Sequence, residues 1–149
     1  MIHIGYWRED FNSETQSLPM PVAMEAVIGS TSEVLLYRET TAKLRYIQGH
    51  LINELSRNNF LGNFDTTVQI DGLLCSIIAY RGFSRCRICG CTNGSKELTI
   101  RSPDGDVVVP EGYLHYIDYH HIEIDSWLTS ILVYNMGLES PKFKVIIQS

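Results

Sequence analysis

The sequence predicts an α+β fold in a single small domain, with an N-terminal helical part packed on a C-terminal module of knuckle, β-hairpin and helix. Three observations predict it. Apolar residues recur at helical spacing between Glu33 and Arg57, a short β-rich run spans Leu73 to Tyr80, and two further β-rich runs flank a proline-glycine turn ahead of a second helical stretch. With 149 residues, 44% of them hydrophobic, the chain suffices for one compact core. Within the domain 1–149, residues 1–62 read as an irregular arm plus an amphipathic helix, 72–137 as the C-terminal module, and 141–149 as a terminal strand or tail.

Met1 to Ser17 mixes Tyr6, Trp7 and Phe11 with polar residues, and Leu18-Pro19-Met20-Pro21 then breaks any helix, because each proline constrains its predecessor. The helix that follows places Leu44, Ile47, Leu51 and Leu55 on one face, with Lys43, Arg45, Asn53, Glu54 and Arg57 on others. Gly49 weakens it, and Asn58, Asn59, Gly62 and Asn63 supply the stop. Leu73 to Tyr80, bounded by Asp71-Gly72 and Arg81-Gly82, is expected to form a largely buried strand. Glu97 to Ile100 and Val107 to Val109 flank Ser102-Pro103-Asp104-Gly105, where proline presets a turn and Gly105 accepts positive φ. Pro110-Glu111 then opens a helix running to Tyr119 or His120, since proline suits the first helical position and an acid there meets the positive end of the dipole. A last helix is expected from Ser126 to Met136, with Asp125 as N-cap, Trp127, Leu128, Ile131 and Leu132 inward and Gly137 as the stop. Phe143, Val145 and Ile147 alternate in the tail.

Composition narrows the function classes. The longest apolar runs are about four residues, far short of the roughly 18 a membrane span needs, so no membrane association is expected. Met1 to Asp10 has neither a basic nor an apolar leader region, which makes a reducing cytoplasm the expected location. A net charge of -5 argues against a surface that wraps nucleic acid along its whole extent. The charge is unevenly spread. Arg81, Arg85, Arg87, Lys96 and Arg101 accompany a lone Glu97 between 81 and 101, whereas 102–140 holds seven acids and no Lys or Arg. Of the four cysteines, Cys75 sits in an apolar run and reads as a buried thiol, while Cys86, Cys89 and Cys91 crowd together in a way that suits a metal better than disulfides.

Cys86-Arg87-Ile88-Cys89-Gly90 is a CxxCG knuckle: two thiolates two residues apart can face one ion, and Gly90 lets the backbone turn beneath them. His115 and His120, spaced HxxxxH, complete a donor set that suits tetrahedral Zn2+. Positions five apart lie about 140° apart on an ideal helix, so His115 projects from the helix body and His120 reaches back from its end. His121 and Cys91 are alternative ligands within the same reading. Two other readings remain open, ordinary thiols beside unrelated histidines, or a redox-active pair. The second is disfavoured because Gly90, Asn93 and Gly94 oppose the helix that normally follows a redox CxxC. Knuckle, hairpin and ligand-bearing helix in that order are similar to treble-clef zinc modules, whose helix gives its ligands near its start. Here His115 is expected about five residues into the helix.

The segment Arg81-Gly82-Phe83-Ser84-Arg85-Cys86-Arg87-Ile88-Cys89-Gly90, then Asn93-Gly94-Ser95-Lys96-Glu97 and Pro110-Glu111-Gly112-Tyr113-Leu114-His115-Tyr116 with His120, resembles a family of small bacterial and phage proteins. That family carries the pattern RGxSxCRxCGxxNGSxE followed by PEGxxHYxxxH. The resemblance covers about 72–132 and implies common structure but no activity. This chain departs from the pattern in having Val107 to Val109 before the PEG segment, where a tryptophan-rich stretch is usual, and Ile124-Asp125 after the second histidine, where a proline is usual.

Three function classes follow. A closed four-ligand site would be structural, with the exposed face binding another macromolecule, most simply a protein. A nucleic-acid reading uses Arg81, Arg85, Arg87, Lys96 and Arg101 with Phe83 for local contact to RNA or a single strand. A hydrolase or deaminase would need an open coordination position and Glu111 as general acid/base, but the order HxE then PCxxC is absent, and no catalytic residue is assigned. Asn93-Gly94-Ser95 reads as a turn, and Trp7 and Trp127 as packed side chains.

Overall fold

The computed structural model describes residues 2–6, 31–58 and 65–137. The expected arm from Trp7, the tail 141–149 and the helix stop at 59–63 lie outside the described residues. Eight elements follow in order: β1 (Ile2–His3), α1 (Thr31–Asn58), β2 (Asp65–Ile70), β3 (Leu73–Arg85), β4 (Thr92–Ser102), β5 (Gly105–Pro110), α2 (Tyr113–His120) and α3 (Ser126–Asn135). The strands form one mixed sheet in the order β1-β5-β4-β3-β2, antiparallel except where β1 runs parallel to β5. This is an α+β domain with helices packed on one face of the sheet.

The predicted apolar stripe of α1 is the centre of the core. Leu44, Ile47 and Leu51 are fully buried and Leu55 nearly so, against Leu73, Cys75, Ile77, Leu98, Ile100, Val107 and Val109 from the sheet. Each such side chain contributes about 1.5–3 kcal/mol relative to exposure. The helix has 28 residues, about 42 Å, and passes through Gly49 without a break, since the stripe on either side of that glycine is anchored. Two polar residues of α1 carried into the interior find partners: Thr40 Oγ1 donates to the Leu36 carbonyl at 2.8 Å, and the Lys43 ammonium lies 3.5 Å from the Leu132 carbonyl and 3.8 Å from Glu39. Lys43 thereby meets the last turn of α3, where the helix dipole favours a cation.

The sheet is larger than the sequence suggests. Polar, threonine-rich β2 pairs with β3 through a two-residue turn at Asp71-Gly72, with Ile70 opposite Leu73 and Asp71 at φ +50°. Gly72 is needed there because a Cβ would stand 3.0 Å from the Asn135 carbonyl, which accepts the Gly72 N–H at 3.1 Å. The β3 strand continues five residues beyond Tyr80, to Arg85, and β4 starts at Thr92, so Asn93-Gly94-Ser95 is strand and not the expected turn. The Ser102–Gly105 hairpin is as expected: Gly105 has φ +141°, and Ser102 Oγ donates to the Gly105 carbonyl at 2.8 Å. Tyr6 donates to one Glu97 oxygen and Tyr80 to the other at 3.1 Å, tying the first residues to the sheet. Burial and the Glu97 carboxylate push the Tyr6 phenol well above its usual range.

The second helix begins at Tyr113, not at Pro110-Glu111. Pro110 is still paired with Glu97 in the sheet, and the Glu111 N–H donates to the Lys96 carbonyl at 2.8 Å. A residue held in a ladder cannot also start a helix, so Glu111 is not a first-turn acid. The last helix is capped by Asp125, which accepts from the Trp127 N–H at 2.8 Å, and closes at Asn135 with Met136 as C-cap.

Candidate metal centre

Three elements converge at one end of the sheet. The far end of β3 and the start of β4 form a ribbon, Ser84 opposite Gly94 and Arg85 opposite Thr92, whose tip is the Cys86–Cys91 knuckle. The register slips between Ala79 and Ser84, and Gly82 at φ +86° allows the chain to bulge there and present Phe83 to solvent. Within the knuckle, the Cys86 N–H donates to the Cys91 carbonyl at 2.8 Å and the Gly90 N–H to the Cys86 carbonyl at 2.9 Å, with Gly90 at φ +76°. Cys86 Sγ in turn accepts from the Ile88 and Cys89 amides at 3.4 and 3.5 Å.

The helix α2 docks against this tip. Tyr116 accepts the Arg87 N–H at 2.6 Å, and burial pushes its phenol up to about 12, with Arg87 partly opposing. Ring N and thiol face each other at 3.3 Å between His115 Nε2 and Cys89 Sγ. The His115 and His120 rings stand 5.2 Å apart, nearly edge to face. One donor atom from each of Cys86, Cys89, His115 and His120 lies within 4.8 Å of every other, close enough to share one metal ion.

Two details test whether these residues fit a metal. His120 Nε2 is buried and has no hydrogen-bond partner among the described residues, an arrangement that costs roughly 1–3 kcal/mol unless something accepts its lone pair or proton. Burial and the neighbouring His120 also push the His115 imidazole below the usual histidine range, against a weaker opposing pull from Asp118, a shift toward the neutral form that a metal binds. Both details fit. The four sequence-predicted ligands are the four brought together; His121 is exposed and serves as the left-handed C-cap of α2 at φ +47°, and Cys91 contributes its carbonyl to the knuckle. His115 lies in the first turn of α2, because that helix starts later than its sequence suggests.

The supports around the ligands belong to the motif, but in roles other than the helix-opening acid and the turn that their local sequence suggests. The Glu111 carboxylate accepts the Ser95 N–H at 2.8 Å and lies 3.7 Å from the Lys96 ammonium. Ser84 donates to Asn93 Oδ1 at 2.6 Å. The two glycines of this junction are close approaches: a Cβ on Gly94 would meet Glu111 at 2.6 Å, and one on Gly112 would meet Asn93 at 2.5 Å. Asn93-Gly94-Ser95 and Glu111-Gly112 thus interlock, and fix the knuckle strand relative to the helix that carries both histidines. The signal was present as two glycines next to polar side chains, but which surfaces met depended on the fold.

The basic segment is partly consumed internally. Lys96 pairs with Glu111, Arg101 Nε lies 3.9 Å from Asp106, and one Arg87 nitrogen donates to the Arg85 carbonyl. No protein-family model, curated protein or solved structure matches the chain. No helix among the described residues is long and apolar enough to cross a membrane.

Proposed function

We propose that Cys86, Cys89, His115 and His120 hold one zinc ion in a structural site, and that the domain is a small macromolecular interaction module acting in the cytoplasm. The convergence of one donor atom each from two thiols and two imidazoles within 4.8 Å carries this reading, and the orphaned, buried Nε2 of His120 supports it. Two sulfurs and two imidazole nitrogens match the donor preference of tetrahedral zinc, and four protein donors leave no open position. Knuckle, hairpin and a helix giving His115 from its first turn support a treble-clef-like arrangement. Glu111 speaks against a hydrolase or deaminase, since its carboxylate is engaged by the Ser95 amide and Lys96. The resemblance to the small bacterial and phage family adds no activity to this reading.

The face offered to a partner is the knuckle end, where Phe83 is 74% exposed, Ile88 51% and Tyr119 73%. Such apolar side chains grouped around a fixed turn suit a protein partner. Phe83 beside exposed Arg85 also favours a second reading, contact with RNA or a single strand, in which a base stacks on the ring. The pairing of Lys96 and Arg101 within the protein counts against it. Metal analysis of protein purified without added metal tests the proposal: one zinc per chain, lost in Cys86→Ser, is expected, and a metal-free unmutated protein would overturn it.

A further inference from the structure

We propose that Cys91 is a resolving thiol, and that peroxide oxidation of the knuckle joins Cys89 to Cys91 in a disulfide that reversibly dismantles the metal centre. The inference rests on the zinc reading above for its consequence, though not for the disulfide itself.

The four cysteines occupy different settings. Cys75 is fully buried in the core, and burial pushes its thiol up to about 12, so it is inert. Cys86 is 3% exposed, and its sulfur is occupied by two amides. Cys89 and Cys91 are both exposed. Cys89 is a member of the donor cluster; Cys91, two residues on, is not. An exposed thiol that neither packs in the core nor belongs to the donor set is left without a structural task, in a position adjacent to one that has one. An exposed thiol of this kind, next to an accessible sulfur, is what reversible thiol oxidation uses.

The backbone between the two is permissive. Gly90 has φ +76°, and a Cβ built there meets nothing within 4 Å, so the residue between the two cysteines is not packed against another group. Glycine also relieves the strain of the small ring that a Cys-Gly-Cys disulfide closes. The backbone on either side is held by the Cys86 amide on the Cys91 carbonyl, a bond that a side-chain disulfide need not break.

The chemistry balances with hydrogen peroxide, a two-electron oxidant. The Cys89 sulfur attacks one peroxide oxygen: an S–O bond forms, the O–O bond breaks, and the departing oxygen leaves as water after taking a proton. The Cys91 sulfur then attacks Cys89: the S–S bond forms, the S–O bond breaks, and the second oxygen leaves as water. Two thiols give up two electrons and two protons, and one peroxide becomes two waters. Cys89 is then withdrawn from the donor set, which leaves Cys86, His115 and His120. Ile88, exposed between the two knuckle ligands, loses its fixed position, so oxidation changes the face offered to a partner.

Trypsin separates the outcomes, because cleavage after Arg85, Arg87 and Lys96 leaves Cys86 in Cys86-Arg87 and both Cys89 and Cys91 in the peptide 88–96. Full-length protein purified without added metal is treated with hydrogen peroxide, digested without reduction and weighed, with zinc release followed in parallel. The expected result is that peptide 88–96 loses the mass of two hydrogens, zinc is released in step, and a dithiol reductant restores both. Cys91→Ser should start with the same zinc content but form no disulfide within 88–96, and under excess peroxide should accumulate sulfinic and sulfonic acid on Cys89, which the reductant does not reverse, so zinc is not fully regained. A disulfide linking Cys86-Arg87 to 88–96, or full recovery of zinc by Cys91→Ser, would overturn the inference. Zinc missing from the untreated protein would sink the metal reading alone, with the position of the disulfide still deciding the role of Cys91.

Discussion

Between α1 and the inner face of the sheet, Leu44, Ile47, Leu51, Leu73, Ile77, Leu98 and Ile100 are sealed from water, whereas at the far end of β3 and β4 the side chains of Phe83, Arg85, Ile88, Cys89 and Cys91 are exposed. Among the described side chains of 82–92, Cys86 is the buried one. One region is held by area removed from water. The other has almost none to remove, and is held by short polar contacts: Tyr116 on the Arg87 amide, Glu111 on the Ser95 amide, Ser84 on Asn93. A segment of that kind does not keep a tight turn by itself, and four convergent donors explain how it can. The difference teaches where a metal would be needed: not in the core, which is complete, but at the tip that the core does not reach.

The largest expected effect separates the two regions. Chelation should remove about 10 kcal/mol or more of site stabilisation, on the scale of structural zinc in small modules. Hydrogen exchange should then accelerate at the Cys86 and Gly90 amides, which are bonded within the knuckle, while α1 stays protected. Equal acceleration in α1 would show that the two regions are not separable.

Leu51→Ala attacks the other side. It removes a fully buried side chain from the middle of the α1 stripe and should cost about 2–5 kcal/mol, read as a lower denaturation midpoint. Zinc content in the remaining folded protein should be unchanged. Loss of zinc in proportion to stability would instead make the centre an extension of the core.

The smallest effect comes from pH. Burial pushes the Tyr113 phenol and the Cys75 thiol up to about 12 from ordinary values of 10.0 and 9.0. The unfolded chain therefore loses these protons first as pH rises, so the stability they contribute is fully present below about 9 and is lost between there and about 12. Each group should remove up to about 1.4 kcal/mol per pH unit within its window. Denaturant midpoints across this range measure it, and a flat profile would contradict the burial of both groups.

What the sequence disclosed follows the same division. The α1 stripe was legible because four residues at helical spacing state a buried face without reference to anything else. The donor set was legible because Cys86, Cys89, His115 and His120 are of a chemical type that has few other uses in that pattern. The strand β2 was not, because Asp65-Thr66-Thr67 is polar and its pairing is decided by the Asp71-Gly72 turn and by β3. The start of α2 was misplaced because Pro110 and Glu111 favour a helix N-terminus locally, yet are claimed by Glu97 and Lys96 across the ladder. Asn93-Gly94-Ser95 favours a turn for the same local reasons, and becomes strand because Glu111 and Gly112 close over it. Local preference failed where a partner distant in sequence held the backbone.

The central claim is that two thiols and two imidazoles converge on one zinc. X-ray absorption at the zinc edge, on protein purified without added metal, tests it most directly. The account predicts two sulfur neighbours at about 2.3 Å and two nitrogen neighbours at about 2.0 Å, with one sulfur lost in Cys89→Ser and one imidazole lost in His120→Ala. Absence of zinc, or a spectrum that neither substitution alters, would contradict it.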